Sequence, residues 1–436
     1  MLSSFVIGLS SLTGVLVSDF QIPYAKTHLT FSLPDSLHVE RLAPAPIPPV
    51  SDAMRAVNDA LEHPLGHFRF EDFARAQSVA IAINDKTRPV PLALLLPPLL
   101  QKLARLGIPD SAIKLIIGVG THAPMPREEF GAVVPPEILA RYRVISHDCD
   151  DASLHVFLGT TTRGTRVLCH REYAHADLRI AIGDIEPHQF MGFSGGVKSA
   201  AVGVTARETI AHNHALMMEP NAYQGRYDDN PARQDCEEIG KIIGIHCALN
   251  SVIDEHKRIV GVFAGEPVAV MRAGMPLALD VYRVNVRALF DLMIVSAGGH
   301  PKDINVYQAQ KAVGHAMPVM KRGGTLIWVA ACPEGAGSKV YEEYVAQFSS
   351  HEAVLEHFKR APFQLGKHKA WQIARDATQV RLLMVTELPP DLARKLLLPR
   401  VESLDAALAL ALRDLPRDAR VGIMPVGNVT VPVISD

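Results

Sequence analysis

Paired cysteines are missing from this sequence. Its five cysteines, Cys149, Cys169, Cys236, Cys247 and Cys332, are odd in number and irregularly spaced, with no CxxC pair. That excludes a disulfide framework and a zinc knuckle, and makes reduced thiols in a cytoplasmic protein the expectation. Aromatic residues make up 6% of the chain, too few for a base-stacking surface. There is no long basic run and the formal net charge is −2, so neither nucleic acid nor an anionic membrane is expected as a partner. Walker A and HExxH motifs are also absent. His212 and His214 lie two apart and would diverge by about 200° on a helix, so they cannot share one metal ion as an i, i+4 pair does. The apolar stretch 2–18 lacks a positive flank and a small-residue cleavage site and is short for a membrane span. Residues 1–18 are therefore set apart as an apolar leader: an export signal, an upstream start or a dispensable extension.

With 436 residues, 48% of them hydrophobic, the chain has material for two domains with ordinary cores. Near-continuous apolar runs at 78–85, 113–122, 142–148, 177–188, 290–301, 324–335, 380–387 and 420–427 read as buried strands. Helical patterns at 91–107, 206–218, 304–317, 351–361 and 403–415 fall among them. This alternation predicts an α/β protein with largely parallel sheets. The composition shift near 260–286 reads as helix-like and places a boundary close to 280. The expectation is two Rossmann-like α/β domains, 19–280 and 281–436, with the active site in the cleft between them at the carboxyl ends of strands.

The polar residues of interest close those strands. "IGDIEPHQFMGFSGGVKSAAVGV" (182–204) combines His188, the glycine pair Gly195 and Gly196, and Lys198. A glycine pair lets backbone amides approach an anion, and a helix starting near Val197 would add its field; a plain strand-to-helix turn explains the glycines equally well. His122 and His188 each end an apolar strand, where an imidazole can exchange protons with a substrate. His214 follows on a predicted helix and is open to binding a metal as a single ligand. Asp85 and Arg88 follow the first strand, and Arg88 suits a bidentate carboxylate or phosphate contact. Tyr307 and Lys311 share a helix face beside Gln308.

In the order and spacing of "NDKTRPVP", "GVGTHAPM", "IEPHQFMGFSGGVKS", the "NH" at 213–214 and "GGHPKDINVYQAQK", the chain resembles the nickel-pincer-dependent lactate racemases and related 2-hydroxyacid racemases and epimerases. The resemblance runs from about residue 20 to near the end. It implies a nickel pincer nucleotide, a nicotinate-derived mononucleotide made by other enzymes that contact this protein transiently. It further implies Lys198 as the covalent anchor and His214 as the single protein ligand to nickel. His122 and His188 would be the acid/base pair. Asp85, Thr87, Ser194, Gly195 and Gly196 would hold the cofactor, while Arg88, Tyr307, Gln308 and Lys311 would contact a small 2-hydroxy acid. Trp371 matches an aromatic near the family's pocket. Ala123, Gln189, Met191 and His300 depart from the pattern on the substrate side, and His300 could receive a second carboxylate, as in malate. Two other classes compete: a zinc-dependent hydrolase using His122, His188 and His214, and a non-catalytic carrier of the nickel cofactor, which would need only Lys198 and His214.

Overall fold

The computed structural model describes residues 17–435 other than Pro89, Pro362, Leu365 and Arg417. The apolar leader, apart from Val17 and Ser18, lies outside the described residues. The chain forms two compact units, one from Pro46–Tyr282 and the other from the described residues up to Ala45 together with Arg283 onward.

The Pro46–Tyr282 unit is built on a six-stranded sheet in the order Ile259–Gly265, Cys247–Ile253, Leu178–Asp184, Val79–Asn84, Ile113–Gly118, Arg143–Ser146. Only the first pair is antiparallel. Val79–Asn84 is apolar through five consecutive buried positions, as a strand covered on both faces must be. The helix Leu92–Arg105 covers one face, burying Leu92, Leu95, Leu96, Leu99 and Leu103 at helical spacing. The helix Pro231–Ile243 carries its own stop and start signals. Asn230 caps it by accepting from the Arg233 amide, Pro231 is its first residue, and Gly244 ends it in the left-handed conformation. It packs against the short Lys198–Ala201 helix so closely that a Cβ on Gly240 would lie 2.5 Å from Val197.

The second unit is built on a six-stranded sheet, all parallel, in the order Arg400–Val401, Arg381–Val385, Met320–Val329, Phe290–Ser296, Arg420–Met424, His38–Arg41. The hairpin Val17–Tyr24/Thr27–Pro34 buries Ile22, Phe31 and Leu33 against Leu292, Ile294 and Ile327.

The eight strands expected from apolar runs all form, and the boundary near 280 falls where the first unit ends. Two expectations need correction. Residues 19–45, assigned to the first domain, belong to the second, because His38–Arg41 completes its sheet beside Arg420–Met424. The stretch 260–286 begins with a strand, Ile259–Gly265, paired with Cys247–Ile253, before its helix Pro267–Tyr282. Among the described residues no helix is long and apolar enough to cross a membrane, and all five cysteines are buried and unpaired.

Candidate functional site

Strand carboxyl ends build the site in the first unit. Asn84 and Asp85 lie at the end of Val79–Asn84, Gly118 and His122 at or just beyond the end of Ile113–Gly118, and Asp184 at the end of Leu178–Asp184. These neighbouring ends surround one pocket, also lined by Thr87, Arg88, Ser194, Gly195 and Lys198. Seven of the residues singled out from sequence therefore share a single hollow.

Asp85 is buried and uses both carboxylate oxygens. Oδ2 accepts from His122 Nδ1 at 2.7 Å, and Oδ1 accepts from the Thr87 hydroxyl at 2.6 Å and amide at 3.1 Å. Burial alone would raise its pKa, but the hydrogen bonds from His122 and Thr87 outweigh it and hold the carboxyl below its ordinary value. An ionised Asp85 accepting at Nδ1 fixes the His122 tautomer and leaves Nε2 as the basic nitrogen. His188 is held in the opposite sense: its Nδ1 accepts from the Met191 amide at 3.3 Å, so a neutral ring carries its proton on Nε2. The two histidines are thus held as opposite tautomers, His122 with its lone pair on Nε2 and His188 with its proton there.

Lys198 is packed among protein atoms although part of its surface is open. Desolvation, and then the Arg88 guanidinium, lower its pKa to about 8, so a useful fraction is free amine at neutral pH. Its helix, Lys198–Ala201, has four residues, too few to supply the helix-terminus field that the sequence suggested. The bend before it is also busier than expected. The Ser194 amide donates to Glu186 O at 2.8 Å and the Gly196 amide to Asn250 Oδ1 at 2.6 Å. These two amides are therefore engaged within the protein, and what the bend offers a ligand is the buried Ser194 Oγ, which has no partner. Gly195 has φ 84°, and a Cβ there would lie 2.9 Å from Asp184 O. The bend can press against the strand end only with glycine at that position.

His214 lies on the helix Arg207–Ala215, and its ring meets Phe190, which also meets His188, at centroid distances of 5.0 and 4.9 Å. Its Nδ1 is 3.2 Å from Asn213 Oδ1. The Asn213 amide nitrogen already donates to Ala232 O and Asp235, so the oxygen must accept and His214 Nε2 carries the lone pair. Desolvation, reinforced by Lys198 and Arg88, lowers the His214 pKa to about 3. A neutral imidazole with an oriented second nitrogen fits a nickel ligand. His212 points elsewhere, to Thr165 Oγ1 at 2.7 Å, as the 200° divergence requires. The unpartnered Ser194 Oγ and Asp184 Oδ2, together with Arg88 and Lys198, fit a polar, anionic nucleotide in the pocket.

In the second unit, the helix Val306–Ala316 brings together Tyr307, Gln308 and Lys311, and Lys311 Nζ donates to Gln308 Oε1 at 2.8 Å. Lys369, on the helix Lys367–Ala377, places its Nζ 4.9 Å from the Tyr307 ring centroid. Trp371 stacks on Phe358 at the edge of the core, and His300 is exposed beyond the strand Phe290–Ser296. Among the described residues, the group whose metal-ligating atoms lie within 4.8 Å of one another is Asp148, Cys149 and Asp150. His122, His188 and His214 do not form such a cluster, which counts against a shared zinc ion. Sequence reasoning gave no role to Asp184, Phe190, Asn250 or the wholly buried Arg233, which donates to Phe193 O and Gly195 O and so supports the bend from behind. Of these, the position of Asp184 at a strand end was the one signal present in the sequence.

Gly192 gives a direct stability test of this segment. It has φ 72°, and a Cβ would lie 1.6 Å from Arg226 O, a backbone atom. Gly192→Ala is expected to destabilise the first unit by on the order of 3 kcal/mol, read as a lowered denaturation midpoint with unchanged m.

A parallel α/β scaffold that gathers a carboxylate-held histidine and a desolvated lysine at its strand ends is that of an α/β enzyme. Comparison with known proteins narrows the class. Residues 24–225 match the model of the lactate racemase N-terminal domain and residues 286–433 that of the lactate racemase C-terminal domain. The chain is 29% identical to the lactate racemase of Lactiplantibacillus plantarum, over 93% of this chain and 97% of that one. It is 27% identical to the lactate racemase of Thermoanaerobacterium thermosaccharolyticum, over 94% and 98%. The structure of the latter organism's lactate racemase apoprotein superposes with a TM-score of 0.88 at 28% identity, covering 95% of this chain and all of that one. A Thermotoga maritima protein shares the fold, with a TM-score of 0.64 at 18% identity. The chain belongs to the lactate racemase family, and its reaction class is isomerisation.

Proposed function

We propose that the protein racemises or epimerises a small 2-hydroxy acid, lactate or a close relative, using a nickel pincer nucleotide anchored at Lys198 and ligated by His214. The observation that carries this reading is the pocket in which the Asp85–His122 pair and the partly neutral Lys198 meet. When bound, the cofactor supplies an acceptor for the C2 hydrogen and its electron pair, which no side chain here can provide. The chain supplies the rest. His122 Nε2, basic because Asp85 holds Nδ1, takes the hydroxyl proton of one enantiomer. His188, protonated to imidazolium before the transfer, is proposed to return a proton to oxygen for the other and is left as a neutral ring, and the roles exchange in the reverse direction with His122 then protonated and His188 neutral. Arg88 is proposed to orient the carboxylate, and Lys311, Gln308 and Tyr307, on the second unit, are proposed as substrate-binding residues. Asp85 and Thr87 serve mainly to hold His122. Ser194 Oγ binds the nucleotide, beside Gly195 and Gly196, whose lack of side chains shapes the bend.

Co-expression with the cofactor-making enzymes tests the reading. The loaded protein is expected to show an intact-mass increase that Lys198→Ala abolishes, a visible absorption band, and chiral exchange of lactate. An unmodified mass with a tightly held zinc ion and hydrolytic activity would favour the hydrolase instead. His300 is proposed to widen the substrate range toward dicarboxylates. His300→Ala should then reduce exchange of malate and leave lactate unchanged. Lactate turnover with no exchange of malate by the native protein removes that role.

A further inference from the structure

We propose that Asp184 is a further ligand-binding group of the first unit's pocket, donating a hydrogen bond from its protonated carboxyl to an anionic oxygen of the bound nucleotide. The proposal rests on the pocket being the cofactor site.

Asp184 ends the buried strand Leu178–Asp184, and only 2% of it is exposed. Asp184 is one of the residues lining the pocket, and its buried Oδ2 has no hydrogen-bond partner among the described residues. Ser194 Oγ, on the same pocket lining, is likewise without one. Buried polar atoms are nearly always paired, so two orphans on one pocket wall mark where a ligand completes the hydrogen bonding. Asp184 is not a counter-ion to the site's cations. No ion pair involves it among the described residues, and the acid beside Arg88 is Glu186, at 3.8 Å.

The chemistry follows from its surroundings. Burial, and then the neighbouring Glu186 carboxylate, push the Asp184 carboxyl up to about 7, with Arg88 and Lys198 opposing. Tyr282, at the end of the helix Pro267–Tyr282, is a further titratable group near it. An ionised Asp184 would repel the anion that Arg88 and Lys198 attract, whereas a protonated one donates a short O–H···O⁻ bond to it. The accepting oxygen belongs to a phosphate or a carboxylate, both present on a pyridine mononucleotide.

The test is binding of nicotinate mononucleotide, inorganic phosphate and nicotinate to the full-length protein expressed without the cofactor-making enzymes, by calorimetry at pH 6 and pH 8. Asp184→Asn keeps a donor and removes the charge. It should bind the mononucleotide like wild type at pH 6 and about tenfold tighter than wild type at pH 8, one pH unit above the Asp184 value. Asp184→Ala should bind more weakly than Asp184→Asn at both. A wild-type-to-Asp184→Asn ratio that does not change with pH overturns the proposal and leaves the pocket reading standing. Failure of wild type to bind the mononucleotide at any pH overturns both. If the variants do not fold, proton uptake by wild type decides. About one proton per mononucleotide is expected at pH 7.5, and uptake no larger than the roughly 0.2 that Lys198 alone would add overturns the proposal. The pH signature with inorganic phosphate assigns the oxygen to phosphate. The signature with nicotinate and not phosphate assigns it to the carboxylate.

Discussion

On the proposed function, His122→Ala or His188→Ala is expected to lower racemisation by about 10²- to 10⁴-fold, the usual worth of a positioned acid or base, and to leave covalent loading at Lys198 intact. The expectation comes from the opposite way in which the two rings are held. His122 has its Nδ1 proton fixed on Asp85 Oδ2 at 2.7 Å, whereas His188 Nδ1 accepts from a backbone amide at 3.3 Å. The two rings are held as opposite tautomers by different partners, so neither substitutes for the other in the first half-reaction. Asp85→Asn should reduce the rate as well, by a smaller factor, because the amide can still meet Nδ1 but allows the wrong tautomer. The measurements are chiral exchange of lactate and intact mass on the same preparations. Full activity in either histidine variant would remove that residue from proton transfer. Lost loading in both would reassign them to building the pocket. The carrier alternative predicts no racemisation to lose.

Acidification from pH 7 to pH 5 is expected to destabilise the first unit by about 4 kcal/mol through two histidines outside the pocket. His147 and His170 are buried, with ring centroids 5.6 Å apart, and the ring of His155, the strand partner of His170, stands 5.2 Å from that of His147. Desolvation lowers His147 and His170 to about 4 each, with repulsion among the three rings adding to it. His147 Nε2 meets Thr205 O at 3.0 Å, and Nδ1 has no partner to stabilise a second proton. Because the folded values lie below the unfolded value of 6.5, the unfolded chain takes up protons first as the pH falls. The stabilisation present above pH 6.5 is lost progressively down to about pH 4. Each residue contributes roughly 2 kcal/mol at pH 5. Urea denaturation at the two pH values measures it. A His147→Gln/His170→Gln double variant should flatten the dependence, provided the first unit still folds cooperatively. A midpoint that does not move between pH 7 and pH 5 in wild type would contradict the buried, uncharged state of these rings.

The chemistry-bearing positions stood out in the sequence because of where apolar runs stopped. His122, His188, Asp85 and Lys198 each follow a stretch that can only be a buried strand, and in a parallel sheet such ends gather on one side. The divergence of His212 from His214 could be read from helical geometry alone, and the structure sends them to Thr165 and Phe190 respectively. The partnerships were not legible. That Asp85 spends its carboxylate on His122 depends on Val79–Asn84 lying beside Ile113–Gly118, a pairing across more than thirty residues of chain. The amides of the glycine bend looked available to an anion until Asn250 and Glu186 proved to occupy those of Gly196 and Ser194.

The N-terminal segment shows the same division. His38–Arg41 is four residues long and has no buried position, so nothing local indicates which sheet receives it. Only the open edge beside Arg420–Met424 decides that. The sequence by itself determined the α/β class, the eight main strands and the residues able to do acid/base and nucleophilic chemistry, since apolar periodicity and side-chain type are local properties. Tertiary structure alone decided which donor meets which acceptor, which carboxyl has its pKa lowered by hydrogen bonds and which has it raised by burial. Burial and pairing between distant segments set those, and neither is written at any single position.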